Sequence, residues 1–382
     1  MRILFDYQTF QLQKFGGISR YYVELINRLS LSHNIEIGIK YSDNQYLKEN
    51  IYISIKPIFD QRKEFLKGME FYGKGRLFNF LKGLTPSKYN DCYKLNREYS
   101  IELLKKQNFD IFHPTYYDDY FLDFIGKKPF VLTIHDMNYE KFPEFFPIAD
   151  KTAMIKKKLA QKASHIISVS ENTKKDIVSF WGIDAEKISV IYHGINSIEN
   201  IDCTFIDIPK DYLLFIGARN GYKNFLFFIH SIAGILIGNN INLICTGNSF
   251  STEEIELFKD LNIYDRVFHH FANDSEMAYL YKNAIAFIFP SMYEGFGIPI
   301  LEAFANNCPL LLSNTSCFPE IAGEAALYFD PKSGSEIQNK IIELIESGSL
   351  RNELIISGRK RLNNFSWEKA TIETVEVYRQ II

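Results

Sequence analysis

The chain has 382 residues, of which 46% are hydrophobic and 23% charged, so a wholly disordered chain is excluded and two domains of ordinary size are expected. The formal net charge of −3 argues against nucleic-acid binding, which usually shows a basic excess. The five cysteines are scattered and show no CxxC spacing, which favours free thiols in a reducing compartment over disulfides or a zinc site.

Short β-rich runs alternate with amphipathic helical stretches from the first residues onward. In the first half, strands are predicted at residues 2–5, 35–39, 110–113, 130–134, 165–169 and 188–192. In the second half, they are predicted at residues 212–216, 242–245, 266–269, 286–289, 310–312 and 326–329. Helices are predicted between them, for example at residues 17–30, 172–181, 224–236 and 275–283. This alternation predicts an α/β protein with two Rossmann-like, doubly wound parallel sheets that helices cover on both faces.

The hydrophobic pattern lapses near residues 196–209, which predicts a boundary between two domains. We assign residues 1–197 to an N-terminal domain, residues 198–365 to a C-terminal domain and residues 366–382 to a helix that crosses back to the N-terminal domain. Ligands in such folds bind at the carboxyl ends of the strands, so the cleft between the domains is the expected site.

One segment departs from the alternation. Residues 61–107 carry eleven Lys or Arg against five Asp or Glu, with Phe, Tyr and Leu interleaved, and a second basic stretch at 151–162 holds five Lys in one predicted helix. Two interpretations stay open. These residues form a solvated helical face, or they form a surface that rests on anionic lipid or receives an anionic acceptor.

The beginning of the chain lacks the apolar stretch of a signal peptide, and no run approaches the roughly 18 consecutive apolar residues of a transmembrane helix. We therefore expect a cytoplasmic protein that is soluble or lies on the inner face of a membrane.

The most informative stretch is residues 290–305, where a buried strand ends, a glycine-rich turn follows and a helix begins near Ile298. Gly295 and Gly297 let backbone approach a ligand closely, and the first amides of the helix are free to bind an anion. Glu294 lies in the turn, and Glu302, eight residues later, lies about one turn into the helix, so a bound diphosphate would have a carboxylate near each end. The alternative is an ordinary glycine turn followed by a helix whose early Glu suits the helix dipole.

The segment from Glu294 to Glu302 resembles the E-x7-E motif of retaining glycosyltransferases of the GT-B fold, in family 4. Further segments resemble that family's motifs in the same order, and together they cover most of the chain. They are residues 15–21 (FGGISRY), 133–136 (TIHD), 169–174 (VSENTK), 190–195 (VIYHGI), 217–224 (GARNGYKN) and 271–281 (FANDSEMAYLY). The chain is thus identified as resembling a family 4 glycosyltransferase with two Rossmann-like domains that face a deep cleft.

The resemblance implies a set of catalytic residues. Arg219 and Lys223 would meet the charge of the departing diphosphate, and Glu294 would bind the hydroxyls of the donor sugar. His135 would lie near that sugar, with Asp136 orienting it, although a buried structural histidine is the alternative. Two surface cations are the alternative for the basic pair.

The resemblance also implies binding residues. Glu302 would accept hydrogen bonds from the two ribose hydroxyls. The remaining donor-binding residues would be Gly16, Gly17, Gly217, Asn273, Gly295, Phe296, Gly297 and Ile298. Acceptor-side candidates are Ser19, Arg20, His113 and Asp136, of which Ser19 stands where the family often has Gly, and His113 is weighted equally as structural. The chain contains no Asp-x-Asp, so we expect no metal and no other cofactor.

The implied function is retaining transfer of a hexose from a nucleoside-diphosphate sugar, with a lean toward GDP-mannose, to a glycan or lipid-linked oligosaccharide acceptor. The departing phosphate itself would take the acceptor proton. An anionic membrane surface is a candidate partner if the basic residues at 61–107 and 151–162 rest on lipid rather than form a solvated face. The alternatives are a non-catalytic scaffold subunit that binds nucleotide sugars, and a UDP-sugar transferase or epimerase of the same fold. A nicotinamide dehydrogenase is disfavoured, because no G-x-G-x-x-G follows the first strand.

Overall fold

The computed structural model describes residues 1–48, 55–58, 92–195 and 207–382. Its strands are β1 (Arg2–Phe5), β2 (Asn34–Ile37), β3 (Ile111–His113), β4 (Val131–Ile134), β5 (His165–Ser168), β6 (Ile188–Val190), β7 (Tyr212–Phe215), β8 (Asn242–Cys245), β9 (Val267–His269), β10 (Ala286–Phe289), β11 (Leu310–Ser313) and β12 (Leu327–Phe329). Its α-helices are α1 (Gln8–Leu12), α2 (Gly17–Leu29), α3 (Gln45–Lys48), α4 (Cys92–Lys106), α5 (Asn138–Lys141), α6 (Thr152–Lys162), α7 (Glu171–Trp181), α8 (Phe225–Gly238), α9 (Thr252–Asp260), α10 (Asp274–Asn283), α11 (Ile298–Ala305), α12 (Phe318–Ala322), α13 (Gly334–Glu346), α14 (Gly348–Leu362) and α15 (Trp367–Ile381).

The strands form one parallel sheet system in each half of the chain. In the N-terminal half, the ladders β2-β1-β3 and β4-β5-β6 are joined by a parallel bridge between Phe112 and Phe130. In the C-terminal half, one six-stranded sheet has the order β12-β11-β10-β7-β8-β9, and its pairings are parallel. The predicted fold class is therefore confirmed.

The predicted strands are all present, and each begins and ends within two residues of its predicted bounds. The reason is burial: β4, β5, β7, β10 and β11 are buried along their whole length, so each reads as a continuous apolar run. The predicted domain boundary at 197/198 and residues 61–91 of the basic segment lie outside the described residues. Of the rest of that segment, Cys92–Lys106 forms α4.

The helix α15 packs on the N-terminal half, against α2 and β5. Trp367 and Tyr378 are buried in the same core as the strands β1, β3 and β4. The Tyr378 hydroxyl lies 2.6 Å from His113 Nδ1, and Arg28 of α2 forms an ion pair with Glu368 at 2.9 Å. The two halves are therefore tied by a helix that follows the C-terminal half in the chain and completes the N-terminal core.

One described stretch, Gly221–Gly238, is long and apolar enough to cross a membrane, with a mean hydropathy of 1.2. It contains α8, whose Phe225, Phe228 and Ile232 are buried in a core with the C-terminal sheet. The helix also packs against α13. These contacts make α8 a core helix of the C-terminal half.

Candidate active site

A cavity of about 340 Å³ lies between the two halves of the chain. It lies at the carboxyl ends of β7 and β10, which are neighbours in the sheet although their connections lead to opposite edges. Such a switch point is where doubly wound sheets bind ligands. The N-terminal half contributes Gln13, Gly17, Ile18, His135, Asp136, Asn138 and His193 to its wall. The C-terminal half contributes Ile216, Gly217, Tyr222, Lys223, Phe289 and residues 294–299.

Two helix N-termini meet at this cavity. A methyl group on Gly17, the first residue of α2, would lie 3.2 Å from the Ile298 side chain at the start of α11. Gly297 has a φ of 87°, a left-handed conformation that favours glycine and lets the chain turn into α11. The N-termini of both helices therefore converge on one volume, where an anion would be stabilised. Of their first N–H groups, that of Ser19 already donates to Gln13 Oε1 at 3.0 Å and that of Ile300 to the Gly297 carbonyl at 2.9 Å.

Gly295 is required for the two halves to touch. Any side chain there would overlap the carbonyl oxygen of His135. The Gly295 carbonyl accepts hydrogen bonds from Ser170 Oγ at 2.6 Å and Thr173 Oγ1 at 3.2 Å, both at the start of α7. The Glu320 carboxylate of the C-terminal half accepts two backbone N–H groups at the start of α7, at 2.7 and 2.9 Å. Helix α7 thus fixes the glycine turn against the N-terminal half.

The structure brings two of the predicted site residues, Lys223 and Glu294, together at the cavity. Lys223 Nζ lies 2.6 Å from Glu294 Oε1, and both side chains are largely buried. Lys223 follows β7 and Glu294 follows β10, so the pair spans the switch point. Lys223 is the one cation among the described residues that line the cavity.

Arg219 does not line this cavity, which corrects the expectation that it meets the charge of the diphosphate together with Lys223. Its Nε lies 2.6 Å from Glu254 Oε1 and its Nη2 lies 3.1 Å from Glu254 Oε2. Nη2 also donates to the carbonyl of Ser249 at 2.9 Å, and the guanidinium lies over the Phe250 ring. The guanidinium is turned toward the connection between β8 and α9, because it binds the Glu254 carboxylate and the face of the Phe250 ring there. Sequence reasoning did not identify Glu254.

Arg20 and Glu302 form an ion pair across the cleft at 3.0 Å. The other Glu302 oxygen accepts a hydrogen bond from the Tyr281 hydroxyl at 3.0 Å. Arg20 lies one turn after Gly17 in α2, so it faces α11 and the expected ribose carboxylate. It is therefore placed on the donor side, which corrects its assignment to the acceptor side.

Two buried imidazoles form part of the N-terminal wall. The rings of His135 and His193 are 6.0 Å apart between centroids and within 17° of parallel. Burial lowers the pKa of His193 to about 3. It also lowers the pKa of His135 well below the usual value, with smaller contributions from His193, His113 and Lys156. Both rings are therefore neutral near pH 7.

The cavity wall carries polar atoms that lack partners. Among the described residues, His135 Nε2, His193 Nδ1 and Asn138 Oδ1 are buried without a hydrogen-bond partner. Leaving buried polar groups unpaired is costly, and such groups in native structures usually have a ligand, a water or a function. The wall is therefore suited to a ligand rich in hydroxyl groups.

Other predicted site residues have structural partners instead. His113 is fully buried between the hydroxyls of Tyr378 and Thr133, so the structural interpretation holds for it. Ser19 is buried, and its hydroxyl donates to the Gly16 carbonyl at 2.9 Å, which removes it from the acceptor side. Asn273 caps α10, because its Oδ1 accepts two backbone N–H groups of that helix at 3.0 Å.

The expectation that Asp136 orients His135 is also corrected. The Asp136 carboxylate accepts from the backbone N–H of Asn138 at 3.2 Å, and its backbone carbonyl accepts from Lys156 Nζ at 3.0 Å. Lys156 is fully buried and pairs with Glu140 at 2.8 Å. One of the five lysines in the second basic stretch therefore lies inside the protein, behind the loop that carries His135.

Sequence reasoning missed several cavity residues, namely Gln13, Asn138, His193 and Tyr222. His193 lies just beyond the carboxyl end of β6, and that position relative to a predicted strand was a usable signal. For Gln13, which follows α1, and Asn138, which begins the short helix α5, the sequence offers no comparable signal. Among the described residues, no group of three or more His, Cys, Asp or Glu side chains is arranged to hold a metal ion.

Family models match both halves of the chain. The family model described as Glycosyltransferase Family 4 matches residues 15–198, and the model described as Glycosyl transferases group 1 matches residues 199–361. The chain is 30% identical over 211 residues to the O-antigen chain mannosyltransferase RfbU of Salmonella typhimurium, covering 55% of this chain and 59% of that protein. It is 24% identical over 392 residues to O-antigen chain mannosyltransferase B of Escherichia coli, covering 95% of this chain and 96% of the relative.

Solved structures show the same fold. A glycosyltransferase from Rickettsia africae ESF-5 superimposes with a TM-score of 0.69 at 19% identity, covering 100% of this chain and 98% of the other. Anabaena Alr3699/HepE in complex with UDP and glucose superimposes with a TM-score of 0.72 at 17% identity, covering 99% of each chain.

Proposed function

Because this chain belongs to the family 4 (group 1) glycosyltransferases, we propose that it transfers a hexose from a nucleoside-diphosphate sugar to a sugar acceptor and retains the anomeric configuration. The observation that carries the proposal is the convergence of the Lys223–Glu294 pair, two helix N-termini and a neutral His135 on one cavity. A leaving diphosphate needs positive charge and N–H donors, and a sugar ring needs acceptors and neutral donors. The cavity has the Lys223 cation and helix N-termini for the diphosphate, and Glu294 and the neutral His135 for the sugar.

In the proposed mechanism, the diphosphate binds at the first amides of α2 and α11 and takes Lys223 as its cation. Glu294 then loses its ion-pair partner and is free to accept hydrogen bonds from hydroxyls of the donor sugar. Donors placed in advance where negative charge develops are usually the largest contribution to catalysis of this kind. Binding of the donor diphosphate would therefore also release the Glu294 carboxylate to bind the sugar hydroxyls.

The transfer itself is proposed as a front-face reaction. The bond from the anomeric carbon to the phosphate oxygen breaks, and a bond from the same face to the acceptor oxygen forms. The proton of the acceptor hydroxyl passes to the departing phosphate oxygen, so charge and atoms balance without a covalent intermediate. We expect activity to survive EDTA, and full loss of activity that Mg²⁺ or Mn²⁺ restores would contradict this part.

The identity of the donor is proposed from two directions. The relatives RfbU and O-antigen chain mannosyltransferase B favour transfer of mannose, and therefore GDP-mannose as the first candidate. The Anabaena structures contain UDP, with glucose or as UDP-glucose, which makes a UDP-sugar the second candidate. The O-antigen relatives also favour a lipid-linked polysaccharide intermediate as the acceptor.

An anionic membrane surface remains a proposed partner, and helix α6 now supports it. Lys157 and Lys162 are exposed on this helix with Met154, while Lys151 is exposed just before it. Exposed basic and apolar side chains in one helix suit an anionic interface. Binding to vesicles with and without phosphatidylglycerol, at low and high salt, tests this proposal, and equal binding to both kinds of vesicle would contradict it.

The donor proposal is tested by thermal unfolding with a panel of GDP, UDP and dTDP sugars, because a ligand that binds only the folded state raises the Tm. The donor that raises the Tm is then incubated with extracted acceptor, and the new linkage is analysed by NMR for its anomeric configuration. Binding without hydrolysis or transfer would favour the scaffold alternative. Conversion of the donor alone to another nucleotide sugar would favour the epimerase.

A further inference from the structure

The neutral imidazole of His193 has no place in the expected chemistry, although it lies in the wall of the cavity. It follows β6 in the N-terminal half and lies beside the ring of His135. Its Nδ1 is buried and has no hydrogen-bond partner among the described residues. A buried polar atom without a hydrogen-bond partner costs free energy, and a ligand in the cavity can supply the missing hydrogen bond.

The ring of His193 is held in place from both halves of the chain. Its centroid lies 4.6 Å from that of Phe296 and 4.9 Å from that of Tyr21, both in edge-on contact. Trp367 lies 5.8 Å away. Any side chain on the next residue, Gly194, would overlap the backbone of Trp367. The imidazole is therefore fixed before a ligand arrives, as a residue that selects one ligand geometry must be.

The chemistry of the ring indicates which part of a donor it would contact. Burial lowers the pKa of His193 to about 3, so near pH 7 the ring presents one N–H donor and one acceptor nitrogen. A diphosphate is better served by Lys223 and the helix amides. A sugar hydroxyl, which both donates and accepts, matches a neutral imidazole.

We propose that His193 is a specificity-determining residue that hydrogen-bonds one hydroxyl group of the donor sugar, beside His135. This inference rests on the proposed function, because it deepens the description of the same donor site. It assigns the two parallel imidazoles a common task, which is to distinguish sugars that differ at one hydroxyl.

The test uses His193→Phe, which keeps an aromatic ring among Phe296 and Tyr21 but removes both nitrogens. The kcat and KM are measured with the donor that wild type turns over and with its monodeoxy analogues. We expect kcat/KM for the full donor to fall roughly ten-fold, the order expected for one hydrogen bond. For one analogue, wild type and variant should be equal, because the missing hydroxyl already removes the contact.

Three controls separate this role from a structural one. His165→Phe makes the same chemical change at a histidine of β5 that bonds Ser189 at 2.9 Å and does not line the cavity, so its kcat/KM should stay at the wild-type value. The affinity for the free nucleoside diphosphate should be the same in wild type and His193→Phe. If His193→Phe does not fold, His193→Asn keeps a donor and an acceptor and should retain part of the discrimination.

The outcomes are distinguishable. Equal penalties for all analogues would overturn the inference in favour of a packing role, and a weaker affinity for the free nucleoside diphosphate would place His193 at the nucleotide. If wild type transfers sugar and His193→Phe discriminates as wild type does, the inference is wrong while the proposed function stands. If wild type turns over no nucleotide sugar, the proposed function itself is wrong.

Discussion

Lys223 carries the first prediction at the scale of single residues. It is the one cation among the described cavity residues, so a diphosphate that reaches the helix amides should depend on it. Lys223→Met should lower kcat by roughly 10², the order expected when one preorganised charge-stabilising donor is removed. Lys340→Met is the matched control, because Lys340 is partly exposed, does not line the cavity and pairs with Glu343, three positions along the chain, at 2.7 Å. Normal kcat in Lys223→Met would show that the phosphate charge is met elsewhere.

Arg20 and the two glutamates carry a second prediction. A ribose contact is made equally in the ground and transition states, so Glu302→Ala should mainly raise the donor KM. Glu294→Ala affects the reacting sugar and should mainly lower kcat. Arg20→Ala should resemble Glu302→Ala, because Arg20 holds that carboxylate at 3.0 Å. A changed acceptor KM with an unchanged donor KM would return Arg20 to the acceptor side.

At the scale of elements, α6 holds a lysine inside the protein and a lysine outside it at neighbouring positions. Lys156 is fully buried against Glu140, whereas Lys157 is exposed. Lys156→Met should therefore reduce the free energy of unfolding by about 3 kcal/mol or more, because it leaves a buried carboxylate unpaired. Lys157→Met should change it by less than about 0.5 kcal/mol. Urea unfolding measures both.

The double variant Lys156→Met/Glu140→Gln checks the cause of that loss. If the unpaired charge is responsible, removing the carboxylate should restore much of the stability. If the double variant regains stability but has a lower kcat than wild type, the Lys156 ammonium also positions the loop after His135, whose Asp136 carbonyl it contacts at 3.0 Å. Equal unfolding free energies for Lys156→Met and wild type would contradict the buried pair altogether.

The strands were predictable from the sequence because buried strands consist of apolar residues, which the sequence shows directly. A strand covered on both faces is a continuous apolar run, and the predicted strands lie within two residues of their positions. The glycine turn was predictable for a similar reason, because each glycine meets a local requirement of the backbone. Gly295 allows the close approach of the His135 carbonyl, and Gly297 adopts a positive φ.

The pairings between elements were not predictable in the same way. Arg20 and Glu302 are 282 positions apart, and their contact exists only because α2 and α11 meet across the cleft. Arg219 and Glu254 depend likewise on how the β8–α9 connection lies beside β7. Local sequence indicates which side chains follow a strand, but it does not indicate which carboxylate lies nearest.

At the scale of the whole molecule, buried histidines predict sensitivity to acid. Burial lowers the pKa of His113 and His193 from 6.5 to about 3, and that of His135 also falls. Between these values the unfolded chain binds protons that the folded chain does not, so stability is lost as the pH falls from 6.5 toward 3. Each histidine should contribute a slope of up to about 1.4 kcal/mol per pH unit.

Urea unfolding at pH 6.5, 5.5 and 4.5 measures this slope, and the comparison with His193→Phe isolates one histidine. The difference in unfolding free energy between variant and wild type should change by up to about 1.4 kcal/mol per pH unit, because contributions from carboxylates cancel in the difference. A difference that is constant with pH would show that His193 titrates normally in the folded state.

Helix α15 has a consequence for how the protein is made. Its Trp367 and Tyr378 complete a core whose other members, apart from Tyr293 and further residues of α15, belong to the first half of the chain. During synthesis, domains generally fold from the N-terminus at about 5–20 residues per second. The first half must therefore leave the ribosome before α15 is made. The apolar surface that α15 covers in the finished protein stays exposed while the whole second half is translated. A chaperone that shields Tyr21 and its neighbours in that interval would act on a native surface rather than on a misfolded one.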